Sequence, residues 1–289
     1  MTGVQTCALP ILIFGGRKKL MNDFILKKYD DNIYSLSCET WLKRDEPGGA
    51  IMQSWIVVGK NIVMIVDGPV PEVGGFRAYI EEEFKLPIIM VNTHGHIDHI
   101  GCNGQFEEVY MAQEDWLLAT GGGIKCADNS EAIEKLPYKL IDLPEGSIID
   151  LGDRNIEVYH VPGHTAGSVV LYDATSKSLF SGDAIARRIL YGISDWTSLD
   201  MYFDALHKIS NLDISRIYSM HDDFELSASL IASIEMNIRT NLAITDKVWD
   251  SPVDGRSFRR ILLGDNQLSM DYFDFVMPDD MYLEGICNV

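Results

Sequence analysis

Thr93-His94-Gly95-His96-Ile97-Asp98-His99-Ile100-Gly101 puts three histidines and one carboxylate into six consecutive residues. The apolar run Pro87-Ile88-Ile89-Met90-Val91 stands directly before it and reads as a buried strand. Side chains two apart on an extended segment point the same way, so His94 and His96 can converge on one position. Asp98 and His99 follow where the chain turns off the strand, and they can face a second position. Neutral imidazole is the commonest protein ligand for zinc and similar ions. The stretch therefore reads as one segment able to serve two metal ions, rather than as a polar loop.

Upstream, residues 32–38, 51–58 and 61–67 read as strands, with Gly59-Lys60 a tight connection between the last two. Residues 73–84 read as a helix that repeats Phe76, Ile80 and Phe84 every fourth position and delivers the chain to the strand before His94. Asp67 closes an apolar strand ahead of Gly68 and Pro69, where it can cap a turn. Downstream, residues 108–111 read as a strand and 113–119 as a short helix. Gly121-Gly122-Gly123 reads as a flexible loop rather than a phosphate cradle, because no Gly-Lys-Ser/Thr completes it. Strands over 139–143, 147–151 and 156–161 end in Pro162-Gly163-His164-Thr165-Ala166-Gly167-Ser168, and strands over 168–173 and 178–180 close at Ser181-Gly182-Asp183.

A helix over 199–209 gathers Leu199, Tyr202, Phe203, Leu206 and Ile209 on one face and leaves His207 beside it, toward solvent. Residues 216–220 read as the last internal strand, delivering His221. Leu226, Leu230, Ile234, Ile238 and Leu242 then predict an amphipathic helix over 224–249 that packs on the sheet. The tail beyond it, through Arg256, Arg259, Arg260 and the acidic, aromatic residues 271–282, carries no recognisable motif.

His94-x-His96-x-Asp98-His99, the segment around His164 and the strand end at Asp183 together resemble the signature of the metallo-β-lactamase fold superfamily of metallohydrolases. The resemblance implies an α/β fold, a four-layer αββα sandwich with the metals at one edge of its two sheets, over roughly residues 22–221. It implies that His94, His96 and His164 hold one ion, that Asp98, His99 and His221 hold the other, and that Asp183 spans both. It also implies, beside the turn-capping reading, that Asp67 supports the site from behind these residues, while His160 has no place in that set. Around His221 the sequence departs from the usual Gly-His-Gly and reads Met220-His221-Asp222. Two divalent ions, zinc foremost with iron or manganese suited to the same donors, would supply hydroxide between them near neutral pH, and Asp98 and Asp183 would be its catalytic carboxylates.

Members that cleave β-lactams usually lack an acid at the position of Asp183, whereas thioester and lactone hydrolases carry one. The expected reaction is therefore hydrolysis of an ester, thioester or lactone-type small molecule by a metal-bridged hydroxide. Two other readings use the same fold: a diiron-type oxidoreductase, disfavoured by the His-x-His pattern and the lack of room for a flavin domain, and a catalytically silent binding protein, disfavoured because all seven ligands are present. Arg187 and Arg188 can grip a substrate carboxylate, and Tyr191, Trp196 and Tyr202 can wall a pocket. The competing readings are salt bridges for the arginines and core packing for the aromatics.

Acidic residues number 43 against 24 basic ones, for a formal net charge of −19. Tracking a phosphate backbone needs clustered Lys and Arg, which makes nucleic acid a poor partner. No apolar stretch has the length to cross a membrane, so the expected partner is a small-molecule substrate. Five cysteines without a Cys-x-x-Cys pair suggest neither a disulfide framework nor a structural zinc knuckle and suit a reducing, cytoplasmic setting. Residues 1–11 resemble the translation of a sequencing-library adapter, so residues 1–20 read as a non-native leader ahead of Met21. A signal peptide is the competing reading, but the basic residues Arg17, Lys18 and Lys19 follow the apolar run instead of preceding it. Residues 21–289 suit one domain with a helical C-terminal segment from about 224.

Overall fold

The apolar run before the histidine motif forms a strand, Ile88–Val91, inside a seven-stranded sheet. The computed structural model describes residues 24–42, 51–121, 130–192, 197–251, 256–264 and 271–279. Residues 1–20, Gly122, Gly123 and Trp196 lie outside the described residues. In the sheet the strands follow chain order: Phe24–Asp30, Ile33–Cys38, Ser54–Val58, Val63–Val66, Ile88–Val91, Glu108–Met111 and Lys139–Asp142. Pairing is antiparallel as far as Val63–Val66 and parallel from there on. The switch is made by the helix Phe76–Phe84, which carries the chain back so that Val63 pairs with Ile88. Parallel strands are covered on both faces, which is why Val63-Met64-Ile65-Val66 is apolar without interruption and wholly buried.

A second sheet of six strands also follows chain order: Ile148–Asp150, Asn155–His160, Val169–Asp173, Ser178–Gly182, Arg216–Ser219 and Leu226–Ser227. Trp55, Val57, Met64, Val66 and Val91 of the first sheet meet Ile156, Val158, Val169, Leu171 and Phe180 of the second. Ile56, Val63, Ile65 and Met90, one residue out of step, pack on the opposite face against Phe76 and Ile80 of the crossover helix. Val170, Tyr172, Leu179 and Ile217 on the far face of the second sheet lie under the helices Leu199–Ser210 and Ser229–Asn241. Helix, sheet, sheet and helix make the four-layer αββα sandwich that the sequence predicts. Each fully buried side chain of this kind stabilises by roughly 1.5–3 kcal/mol. A one-residue slip of any strand would exchange both of its faces, so the register is strongly determined.

A third sheet was not foreseen. Arg188–Leu190 pairs in parallel with Phe273–Pro278, which pairs with Ser257–Leu263 and, beyond it, Val248–Asp250. Phe273, Phe275 and Met277 face the core beneath the helices, while Asp274 between them faces away and is bound by Arg260 at 2.8 and 2.9 Å. The helix expected over 224–249 is correspondingly shorter, Ser229–Asn241. Leu226 at its start is drawn into the second sheet opposite Ile217. At its end the Thr245 hydroxyl donates to the carbonyl of Arg260 at 2.6 Å, and Val248 takes up pairing with Arg259. Tertiary pairing thus overrides the four-residue period at both ends. The helix Leu199–Ser210 matches its expectation and is capped by Ser198, whose hydroxyl accepts from Met201 N at 3.2 Å. Among the described residues no helix is long and apolar enough to cross a membrane.

Candidate metal centre

The ends of the strands set the site. Val63–Val66 runs into Asp67, Ile88–Val91 into the histidine motif, Ser178–Gly182 into Asp183 and Arg216–Ser219 into His221. His164 lies in the turn joining Asn155–His160 to Val169–Asp173. Both sheets therefore deliver polar side chains to one edge, where a short side chain on a fixed backbone can be aimed.

Three imidazoles form the first group. His94 Nε2 lies 3.0 Å from His96 Nδ1, His96 Nδ1 lies 2.7 Å from His164 Nε2, and His164 Nε2 lies 3.1 Å from His94 Nε2. A second group joins Asp98, His99 and His221, with His221 Nε2 3.4 Å and His99 Nε2 4.0 Å from Asp98 Oδ2. Asp183 stands between them. Its Oδ1 is 3.4 Å from both His99 Nε2 and His221 Nε2, and its Oδ2 is 3.6 Å from His164 Nε2.

The far nitrogen of four of the five rings is engaged by a partner outside the cluster. His164 Nδ1 donates to the carbonyl of Leu190 at 2.7 Å, and His221 Nδ1 donates to that of Ile51 at 2.7 Å. His99 Nδ1 donates to Asp67 Oδ2 at 2.8 Å. His94 Nδ1 lies 3.2 Å from the Thr93 hydroxyl, which itself donates to Asp67 Oδ2 at 2.7 Å and so is free to accept. With their protons held outside, His94 and His164 turn bare Nε2 lone pairs toward the centre, where His96 presents Nδ1. Three ring nitrogens about 3 Å apart suit a shared cation, and a tetrahedral zinc with Zn–N bonds of about 2.0–2.1 Å would space its ligands similarly. His99 Nε2 and Asp183 Oδ1 are moreover buried without a hydrogen-bond partner, an arrangement that costs stability unless something else binds them. The donor set fits divalent ions of the zinc type.

Electrostatics divide the two groups. Burial, then the neighbouring His99 and His164, hold the imidazolium of His94 far below its ordinary range. Burial and then His164 push His96 down to about 3, and burial also lowers His164. In the second group burial pulls His99 down, but Asp67, Asp183 and Asp98 prevail and raise it to about 10. His221 is raised likewise, burial being outweighed by Asp183 and Asp98. Burial would raise Asp98 and Asp183, yet the same two histidines hold both carboxyls below the usual carboxylate range.

Two buried acids position the clustered side chains. Asp67 accepts from Thr93 N at 2.8 Å as well as from the Thr93 hydroxyl and His99, which places it directly behind the histidine motif. Its own backbone sits at a φ of 62°, a left-handed conformation that Asp tolerates better than most residues. Asp115 was placed by sequence in a short helix without any role. It is fully buried and accepts from Gly95 N at 2.8 Å, Thr165 Oγ1 at 2.7 Å and Gly167 N at 2.8 Å, stapling the His94–His96 segment to the His164 turn. A Cβ on Gly167 would fall 2.7 Å from Asp115 Oδ1, so the close approach requires glycine. That glycine and Gly95, where a Cβ would fall 2.7 Å from the Asp115 carbonyl oxygen, are the traces Asp115 leaves in the sequence.

The residues expected to contact substrate are placed differently. Arg187 is turned onto Asp222, with Nε at 2.8 Å and Nη2 at 2.6 Å from Oδ1. Arg188 is partly exposed beside Asp274, 3.4 Å away. Tyr191 and Tyr202 are core residues instead of pocket walls: both are fully buried, and their hydroxyls donate to the carbonyls of Thr197 and Ala184 at 2.8 and 2.7 Å. Trp196 lies outside the described residues. His207 points to solvent and pairs with Glu235 at 2.6 Å, and His160 Nε2 sits 3.3 Å from the Leu143 carbonyl, so neither joins the cluster.

A sequence profile described as metallo-beta-lactamase superfamily matches residues 49–221, a span that contains all seven clustered residues. The chain belongs to that superfamily. Two relatives within it are named acyl-coenzyme A thioesterase MBLAC2. The Gallus gallus protein is 30% identical over 161 residues, 45% of this chain and 56% of the relative, and the Homo sapiens protein is 33% identical over 122 residues, 36% and 44%. A hydroxyacylglutathione hydrolase of Trichodesmium erythraeum is 31% identical over 141 residues, 47% of this chain and 50% of the relative. The chain spans about half the length of the curated relatives it matches. Among solved structures of the superfamily, a metallo-beta-lactamase from Pontibacter korlensis superposes with a TM-score of 0.57 at 17% identity, over 75% of this chain and 100% of the other. That likeness is one of fold.

Proposed function

We propose that this protein is a dinuclear metallohydrolase acting on an ester, thioester or lactone-type small molecule. The observation that carries the reading is the carboxylate of Asp183, with one oxygen toward the three-imidazole group and the other toward His99 and His221. His94, His96 and His164 would hold one divalent ion, Asp98, His99 and His221 the other, with Asp183 shared. Bound there, two such ions supply an activated water at neutral pH and polarise the carbonyl it attacks. The protein's own part is orientation. Asp67, Leu190 and Ile51 fix the rings of His99, His164 and His221, so little reorganisation is needed as charge develops. Ile97, half-exposed between His96 and Asp98, offers an apolar surface beside the site that an acyl group would meet.

The names of the relatives favour acyl groups carried on a thiol as the first substrates to try. Zinc is the ion of choice, and the buried free thiol of Cys102 suits a reducing cytoplasm. The test is metal analysis of the purified protein together with a hydrolysis screen over thioesters, lactones, phosphodiesters and β-lactams. Two ions per chain with turnover of a thioester or lactone is the expected result, and β-lactam turnover should be slow or absent. One ion per chain, or phosphodiesters as the only substrates cleaved, would overturn the reading.

A further inference from the structure

The departure from Gly-His-Gly around His221 has a structural counterpart. Asp222, in the place of the second glycine, is almost wholly buried and uses both oxygens. Oδ1 accepts from Arg187 Nε and Nη2 at 2.8 and 2.6 Å, and Oδ2 accepts from the Ser219 hydroxyl at 2.8 Å. Its backbone carbonyl accepts from Gln53 Nε2 at 2.5 Å. Arg187 lies four residues beyond Asp183 and is boxed in on other sides. Its guanidinium sits 4.6 Å from the ring centre of Phe224 and 5.6 Å from that of Tyr272, and its carbonyl accepts from Asp274 N at 2.9 Å. The ion pair thus joins the segment bearing Asp183 to the residue next to His221, and both to the C-terminal sheet. Two charge-assisted donors on one buried oxygen fix position closely. Buried pairs of this kind contribute little net stability compared with apolar packing, so their physical effect is mainly on geometry.

We propose that Arg187 and Asp222 form a strut that sets the separation of His221 from Asp183 and thereby the affinity of the Asp98, His99 and His221 group for its ion. Both residues are positioning residues acting through His221, and Arg187 is engaged in the strut rather than in gripping substrate. The inference rests on the dinuclear reading.

The experiment is a competition titration of the metal-free full chain with zinc and a chromophoric chelator, resolving two dissociation constants. Asp222→Ala is compared with the milder Asp222→Asn, with Arg187→Lys and with His221→Ala, and thermal unfolding is recorded for each. Outer partners of metal ligands typically contribute 10–100-fold to affinity. Asp222→Ala should weaken the second constant by about that factor and leave the first unchanged, with Asp222→Asn and Arg187→Lys intermediate. If Asp222→Ala does not fold, the two milder variants carry the same comparison. Unchanged constants, or equal weakening of both sites alongside a lowered melting temperature, would overturn the strut. If the unsubstituted chain binds a single ion, it is the dinuclear reading that fails; if His221→Ala still binds two, it is the assignment of His221 to the second group.

Discussion

The two halves of the centre solve the same problem with opposite chemistry. In the half made of His94, His96 and His164, three rings face one another closely, and burial keeps them uncharged. In the half made of Asp98, His99 and His221, carboxylates lie beside the rings, and in the absence of an ion they hold protons there instead. The first half has no internal counter-charge and is relieved only by a cation. The second is balanced by protons and must release them before an ion can enter. A cluster of ligands is therefore not one site repeated: the placement of two carboxylates decides which half is ready for metal and which must be made ready.

Removing the group the halves share should have the largest effect. Asp183→Ala is expected to lower thioester turnover by on the order of 100-fold or more, equivalent to about 3 kcal/mol of transition-state stabilisation, while the protein stays folded. Unchanged turnover with two ions retained would mean that the halves work independently. Next, His221→Ala should cost one bound ion per chain and His207→Ala none, since His207 pairs with Glu235 in solvent; elemental analysis decides, and the reverse result would remove His221 from the second half.

The buried acids sharpen the contrast. Asp67→Asn touches His99 and should weaken the mixed half by roughly 10–100-fold, whereas Asp115→Asn touches the segments of Gly95 and Gly167 and should weaken the three-imidazole half by a similar factor. Two-site zinc titrations would show the selectivity; if each variant weakened both halves equally, the acids would be general braces only.

The smallest effect is in proton balance. At pH 7 His99 lies below its raised pKa and is protonated, and His221 is raised in the same direction, so loading the mixed half should release protons, and its affinity should climb with pH until His99 has titrated near 10. His94, His96 and His164 are already neutral at that pH, so loading their half should release none. Calorimetry in two buffers of different ionisation enthalpy counts the protons, and equal release from both halves would break the comparison. The sign for stability of the metal-free protein is related. His99 is raised on folding, so its contribution is full below its unfolded value near 6.5 and is lost as pH rises through about 10.

What was legible in the sequence follows from how locally each feature is encoded. His94, His96, Asp98 and His99 are nearly contiguous and legible by themselves, and His164, Asp183 and His221 each terminate or join strands with clear apolar patterns, but their convergence with the motif was implied by the resemblance to the superfamily. Asp115 was not legible, because its partners are two backbone N–H groups and a hydroxyl, which specify no residue pattern beyond glycines. The third sheet was missed although Phe273, Phe275 and Met277 alternate as a strand should. Its partner Arg188–Leu190 is three residues long and gives no periodic signal. Arg187, which follows Asp183, read as able either to grip a substrate carboxylate or to form a salt bridge. Its actual partner, Asp222, lies on another strand end and shows only as an unexplained break in a glycine pattern.

The pairing of Arg188–Leu190 with Phe273–Pro278 also bears on the order in which the molecule is made. Leu190 supplies the carbonyl that orients His164, yet the neighbour that holds Leu190 in its strand, Val276, is synthesised far later. At roughly 5–20 residues per second the nascent chain carries its ligand histidines for several seconds before this sheet can close. Until then the His164 ring lacks its finished support, so metal capture by the growing chain is expected to lag behind completion of the two larger sheets.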